Sequence, residues 1–360
     1  MQSPVSAKAN NMRKSLTVGL IVTALSVNAG QALATAEFKI VTASTRGTYI
    51  QIGRDMASFV APQADIDLDV LPSAGSAENV RRLRYEPGVK FAIVQSDVYQ
   101  AFLDQAAAGN AEANNIIRPL RVIVPLYNEE IYFIVQADSN LNYIHEIKDA
   151  KINAGELGSG TALTTSTLYQ LMFNEPLPEA KASFLSNEDA LVNLITNKTL
   201  DVVAVIAGQP AKLLVDMKPE VRKFIKLLKF DPNHAASKPA LQTYFPATVR
   251  AGSYPNLLTE DVPALAVKAF LVTYDYNLKG TKDYLAGFAR SLCQNFPILQ
   301  EKGHPKWREV ELSLPDLGRG WSYYPPTAKQ IRSCITARTS ARVQPAKPCT
   351  QQERILGLCG

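Results

Sequence analysis

The chain is 360 residues long, 46% hydrophobic and 20% charged, with 38 Lys/Arg against 33 Asp/Glu. That length supplies two domains with sizeable cores. The formal charge of +5 is unevenly placed: Lys8, Arg13 and Lys14 open the chain, Pro325–Gly360 holds six Lys/Arg against one Glu, and the body between is near −3. Such a body excludes a nucleic-acid footprint.

The three early cations precede an apolar run, Leu16–Val27, and then Ala32-Leu33-Ala34 forms a small-x-small site, the pattern of an export signal. The 12-residue run reaches roughly 18 Å as a helix, short of a ~30 Å bilayer core. It therefore reads as residues 1–34 of a cleaved signal, cut near Ala34 or Ala36, and Met12 is an alternative start. Export to the periplasm makes disulfides available to Cys293, Cys334, Cys349 and Cys359. A Cys349–Cys359 bond would close a tail loop and Cys293–Cys334 would tie the tail to the body, with other pairings open.

Phe38–Ala43 reads as a buried strand, followed by the turn Ser44–Tyr49 and a helix to about Val60. Ile66–Leu71 is an alternating strand. Pro72–Ser76 turns into a helix over Ala77–Tyr85, and Phe91–Val94 is a short strand ended by Gln95-Ser96-Asp97. A helix follows over Val98–Ala108. Arg121–Leu126 and Ile131–Ala137 are expected as two strands flanking Tyr127–Glu130, with Glu129 assigned to the crossover.

The layout then recurs. Lys151–Ala154 is a strand, Gly158–Thr161 the turn and Ala162–Phe173 the helix; Ala182–Leu185, the cap Ser186–Asp189, the helix Ala190–Asn197 and the strand Val202–Ile206 complete it. Gly47 to Gly75 is 28 residues and Gly75 to Gln95 is 20; Gly158 to Ser186 is 28 and Ser186 to Ala207 is 21. Beyond this repeat, Pro219–Leu228 reads as helical, Thr243–Arg250 as a strand returning to the first lobe, and Val262–Tyr274 and Tyr284–Phe296 as helices. Leu312–Tyr324 is irregular.

Alternation of this kind implies a mainly parallel sheet wrapped by helices in each half. The expected fold is α/β, a two-lobed clamshell of the type II-like periplasmic-binding-protein kind. Its parts are lobe 1 over 35–128, lobe 2 over 129–240, a return with C-terminal helices over 241–324, and a basic Cys-containing tail over 325–360. Ligands of open α/β sheets bind beyond the carboxyl ends of the strands, where the polar turns lie. The most informative turn is Ile152–Thr161, rich in glycine and hydroxyl residues. Gly155 and Gly160 have Walker spacing, but Thr161 stands where a phosphate loop needs lysine. Ser159 or Thr161 instead caps the following helix, whose N-terminus favours an anion.

Catalytic patterns are weak. His145, His234 and His304 lie apart with no metal-ligand spacing, no Gly-x-Ser-x-Gly elbow occurs, and Ser73, Ser76 and Ser159 read as caps. No enzyme activity, cofactor or metal is expected.

The motifs taken together carry a resemblance. Arg46-Gly47-Thr48-Tyr49, Ser73–Asn79, Phe91–Asp97, Leu126–Glu129, Gly158–Thr161 and Val205–Gly208 fall in the order found in the TAXI solute-binding proteins. Those proteins are the extracytoplasmic receptors of one branch of the TRAP transporters, and the sequence resembles them over Phe38–Tyr324. The resemblance implies a monomeric periplasmic receptor that closes on a small anionic organic solute, such as glutamate, glutamine or a dicarboxylate. It would pass the solute to TRAP membrane subunits. It implies ligand contacts from Gly47, Thr48, Tyr49, Gly75, Ser76, Gln95, Tyr127, Ser159, Gly160, Thr161, Ala207, Gly208 and Gln209. Arg46 is added as a guanidinium able to grip a carboxylate, the alternative being an exposed side chain beside the cleft. The runner-up reading is a ligand sensor acting on a membrane kinase, and an enzyme on the same fold is a distant third.

Overall fold

The computed structural model describes residues 35–317, 320–343 and 351–356. Residues 1–34, read above as an export signal, and Cys349 and Cys359 lie outside them. The first repeat runs β1 (Ala36–Val41), α1 (Thr48–Phe59), β2 (Ile66–Leu71), α2 (Ser76–Tyr85), β3 (Val89–Gln95). Then come α3 (Asp97–Ala107), α4 (Ala111–Ile117) and β4 (Leu120–Gln136); α4 is too short to show a helical period in the sequence. The second repeat runs β5 (Ile152–Asn153), α5 (Gly160–Phe173), β6 (Ala182–Ser183), α6 (Asn187–Ile195), β7 (Val202–Ala207). The remainder is α7 (Lys212–Val215), β8 (Ile225–Leu227), β9 (Phe245–Val249), β10 (Val262–Tyr274), α8 (Lys279–Lys302), α9 (Pro325–Val343) and α10 (Gln351–Ile355).

All ten strands join one sheet whose main path is β2-β1-β3-β10-β4-β7-β5-β6. Each lobe has three parallel strands at its centre, β2-β1-β3 in lobe 1 and β7-β5-β6 in lobe 2. Two antiparallel strands, β4 and β10, pair along their length from Leu265↔Ile131 to Tyr274↔Leu120 and serve both lobes. At one end β10 pairs with β3, and at the other β4 pairs with β7. Their register shifts between Lys268 and Phe270, opposite Asn128 and Pro125, where the ribbon passes between lobes. Irregular pairing of this sort bends a strand and raises its local twist.

Side chains on a strand alternate between faces, and the cores follow that rule. Phe91 and Ile93 of β3 join the core under α1 and α8, while Ala92 and Val94 join the opposite one under α2 and α3. In lobe 2, Val202, Ala204 and Ile206 pack with α5, and Val203 and Val205 pack with α6. Strands covered on both faces read as unbroken apolar runs.

Three expectations are corrected. Val262–Tyr274 is a strand: buried on both faces, it shows no alternation, and its Val267, Val272, Thr273, Phe270 and Tyr274 favour a pleated surface. The acids that looked like a helix start do other work, Asp261 accepting the Ala251 N–H at 2.8 Å and Glu260 pairing with Lys229 at 2.9 Å. Tyr127–Glu130 is not a connection but the middle of β4, a single 17-residue strand. Pro219–Leu228 divides into a 3-10 turn and β8. In addition, β9 pairs with the start of β10 and only its Val249 is buried, in the core that α6 covers.

The tail begins as structure. In α9, Thr327, Ala328 and Ile331 are buried, and Cys334 is disulfide-bonded to Cys293 of α8 with Cα atoms 6.4 Å apart. No helix among the described residues is long and apolar enough to cross a membrane.

Candidate functional site

The carboxyl ends of the parallel strands face one another across a cleft of about 310 Å³. Each turn there runs from a strand into a helix, so α1 and α2 enter from lobe 1 and α5 and α6 from lobe 2. The first amides of a helix lack partners within it and carry its positive dipole end.

The four N-termini differ. Gly47 caps α1 with no side-chain hydrogen bond, and the first turn of α1 holds no acid. Gly75 caps α2 at φ 133°, a conformation that glycine adopts without strain, and a Cβ there would lie 3.0 Å from the Gly160 nitrogen of lobe 2. Its flank is already satisfied: Glu78 accepts the Ala74 N–H at 2.9 Å and Ser73 the Gly75 N–H at 3.0 Å. In lobe 2, Ser159 accepts the Ala162 N–H at 3.0 Å and Ser186 the Asp189 N–H at 3.1 Å. Gly160 is required by packing, because any Cβ would overlap the Gln95 side chain.

The lobes touch. The Glu78 N–H donates to the Gly158 carbonyl at 3.1 Å, and Thr48 Oγ1 donates to the Gly208 carbonyl at 3.3 Å. Asp97 at the start of α3 is buried against lobe 2, where Thr164 and Tyr244 hydroxyls donate to its Oδ2 at 2.7 and 3.0 Å. Its Oδ1 has no partner among the described residues, and burial lifts the carboxyl to about 6 in spite of those donors. At the mouth, Arg46 pairs with Glu188 at 3.1 Å with both side chains more than half exposed.

The floor is built by the strand that joins the lobes. Tyr49 donates to Glu129 Oε2 at 2.7 Å. Burial raises the Glu129 carboxyl to about 8, outweighing hydrogen bonds from Tyr49 and Gln95 and the charge of Lys306. Its neighbour Glu130 is paired: fully buried Lys306 binds Glu130 at 3.0 Å and Glu309 at 2.7 Å, and the Gln209 N–H donates to Glu130 at 2.8 Å.

Of the residues expected at the site, Arg46, Gly47, Thr48, Tyr49, Gly75, Ser76, Gln95, Ser159, Gly160, Thr161 and Ala207 line the cleft. Tyr127, Gly208 and Gln209 stand behind that lining. Tyr127 is buried with the Lys306 ammonium 5.8 Å from its ring, and its hydroxyl has no partner among the described residues. Gly208 packs against Tyr127 and Lys306, and the Gln209 side chain bridges Thr248 and Arg250. The cleft is also lined by Glu156, Asn187, Glu188 and Lys212, which were not expected at the site, and by Glu129, which was expected to serve the crossover. For Glu129 a signal existed, two adjacent carboxylates within an apolar strand. Ser76 proves not to be a cap; its Oγ accepts the Gln95 N–H at 3.0 Å.

His145 and His234, distant in sequence, stack with ring centroids 3.6 Å apart, and neither lines the cleft. The cleft can enclose a small solute, offer it amides and hydroxyls, and exclude water.

The profile of the NMT1-like family matches residues 40–282, well over half of the chain, and the chain belongs to the NMT1-like family. Among solved structures, it is similar to the periplasmic binding protein BugD, at 13% identity and a TM-score of 0.46, over 86% of this chain and 98% of that one. It is also similar to a putative sulfonate-binding protein SsuA from Methylobacillus flagellatus, at 12% identity and 0.43, over 86% and 88%. A phosphonate-transporter binding component from Pseudomonas aeruginosa stands at 12% and 0.43, over 86% and 100%. Likeness at this level fixes neither solute nor partner.

Proposed function

We propose that the protein is a periplasmic receptor of the TAXI type that closes on a small anionic organic solute and delivers it to TRAP membrane subunits. The observation that carries the anionic part is the entry of α1: no side-chain cap and no acid in its first turn leave its amides and dipole for a ligand. The cleft, about 310 Å³, lies at the lower end of the ~300–1,000 Å³ found for ligand pockets, which suits an amino acid or dicarboxylate. Gly47, Thr48 and Tyr49 would hold the anion, with Ser76, Gln95, Ser159 and Thr161 as polar partners. Closure would place Gly75 against Gly160 and bury the solute.

The delivery step is tested with vesicles carrying TRAP membrane subunits. Solute uptake that needs this protein and a sodium or proton gradient, and proceeds without ATP, is the expected result. Uptake that depends on ATP, or no uptake with a solute that binds, would refute it.

A further inference from the structure

We propose that Glu129 is a neutral hydrogen-bond donor to the bound solute, so that the cleft selects an anion presenting a carboxylate or carbonyl oxygen to its floor. This rests on the receptor reading of the same cleft and specifies what the floor recognises.

Among the described residues no ion pair reaches the Glu129 carboxyl, and Lys306 acts on it only through its charge. Glu129 is 3% exposed and lines the cleft. From α1 it faces Tyr49, whose hydroxyl hydrogen is committed to Oε2 at 2.7 Å and whose own ionisation is pushed well up by burial and by Glu129. From β3 it faces the uncharged Gln95, whose Oε1 is shared by Ser76 at 3.4 Å and Thr164 at 3.5 Å. On its own strand it has Tyr127 and the ion-paired Glu130. In β10, Val267 is its register partner, and Lys268 pairs with Asn128. From the turn after α8 comes Lys306, whose ammonium is already bound to Glu130 at 3.0 Å and Glu309 at 2.7 Å. A charged Glu129 would therefore be buried beside another carboxylate and would repel an incoming anion. A protonated one accepts from Tyr49 and has its own O–H for the solute. A neutral acid of this kind acts as a donor where an amide or hydroxyl would otherwise be needed.

The sign follows from the raised carboxyl, at about 8. Anion binding favours the protonated form, so affinity is full below that value. Above it the dissociation constant rises by about tenfold per pH unit.

Two measurements on the full chain test this. In carbon-13 carboxyl spectra of the glutamate-labelled protein without solute, the resonance lost in Glu129→Gln should titrate near pH 8. A resonance already ionised at pH 7 overturns the proposal. Calorimetric titration with L-glutamate, succinate and 2-oxoglutarate from pH 6.5 to 9.5 should show the wild-type slope. Glu129→Gln should bind several-fold more weakly at pH 7 and show no slope, and Glu129→Ala should be weaker still. A slope that survives in Glu129→Gln defeats this inference alone. Wild-type silence to every anion defeats the receptor reading and this inference with it.

Discussion

The two lobes share one topology and differ in how their helices begin. In lobe 1, α1 and α2 start on glycines that offer no side chain to the first amides. In lobe 2, α5 and α6 start on serines that satisfy an amide each; first-turn acids do not separate the lobes, since α2 carries Glu78 as α6 carries Glu188 and Asp189. Against a glycine cap a serine cap stabilises a helix by a few tenths of a kcal/mol, so lobe 1 forgoes a little stability that lobe 2 keeps. On the proposed receptor reading, lobe 1 would present donors to the anion and lobe 2 would shut over it.

The largest break in this comparison is expected at the contact between the two kinds of turn. Gly160→Val would drive a side chain into Gln95 and Ser76 across the cleft. It should hold the lobes apart and weaken solute binding by roughly 100-fold, about 2.7 kcal/mol, while each lobe still folds. Small-angle scattering with circular dichroism checks it; a closed, binding-competent variant would contradict it.

Next is the latch at Asp97. Its carboxyl is raised to about 6 in the closed form, whereas an opened, hydrated carboxyl has its ordinary value of 3.8. The closed form thus holds the extra proton, and closure is most favoured below the lower value and weakens as pH rises through about 6. Scattering profiles of wild type and Asp97→Asn from pH 4.5 to 7.5 should diverge as pH rises, the variant staying flat. Parallel behaviour would remove Asp97 from closure.

Exchanging the caps sharpens the comparison further. Ser159→Ala and Ser186→Ala should each lose about 1 kcal/mol in urea unfolding. Gly47→Ser should do the reverse, stabilising α1 by a few tenths of a kcal/mol while weakening anion binding. If both kinds of change move stability alike and leave binding untouched, the division of labour fails. The smallest effect belongs to Arg46→Ala. With Arg46 paired to Glu188 in solvent, its loss should change affinity by less than about 1 kcal/mol in calorimetry.

The repeat was legible because its strands are short and its turns carry glycine, serine and acids at matching intervals. The motif stretches from Arg46 to Tyr49, at Gly75 and Ser76, and from Ser159 to Thr161 were legible for the same reason, since a strand-to-helix turn is a local pattern. Strand β10 was not, because burial on both faces removes the period that separates strand from helix. Nor was the partnership of Asp97 with Tyr244, 147 residues apart, or the pairing of Glu130, but not Glu129, with Lys306. Those depend on where β4 passes between lobes, on Lys306 arriving from the far end of the chain, and on how much water each carboxyl keeps.

The most direct test of the central claim is a thermal-shift comparison on protein denatured and refolded to remove any carried solute. Each small carboxylate is matched with its neutral amide. A ligand at 100 times its dissociation constant adds about 2.7 kcal/mol, a shift of several degrees. The account predicts that at least one carboxylate raises the midpoint and its amide does not. Equal stabilisation by acid and amide, or by neither, would contradict it.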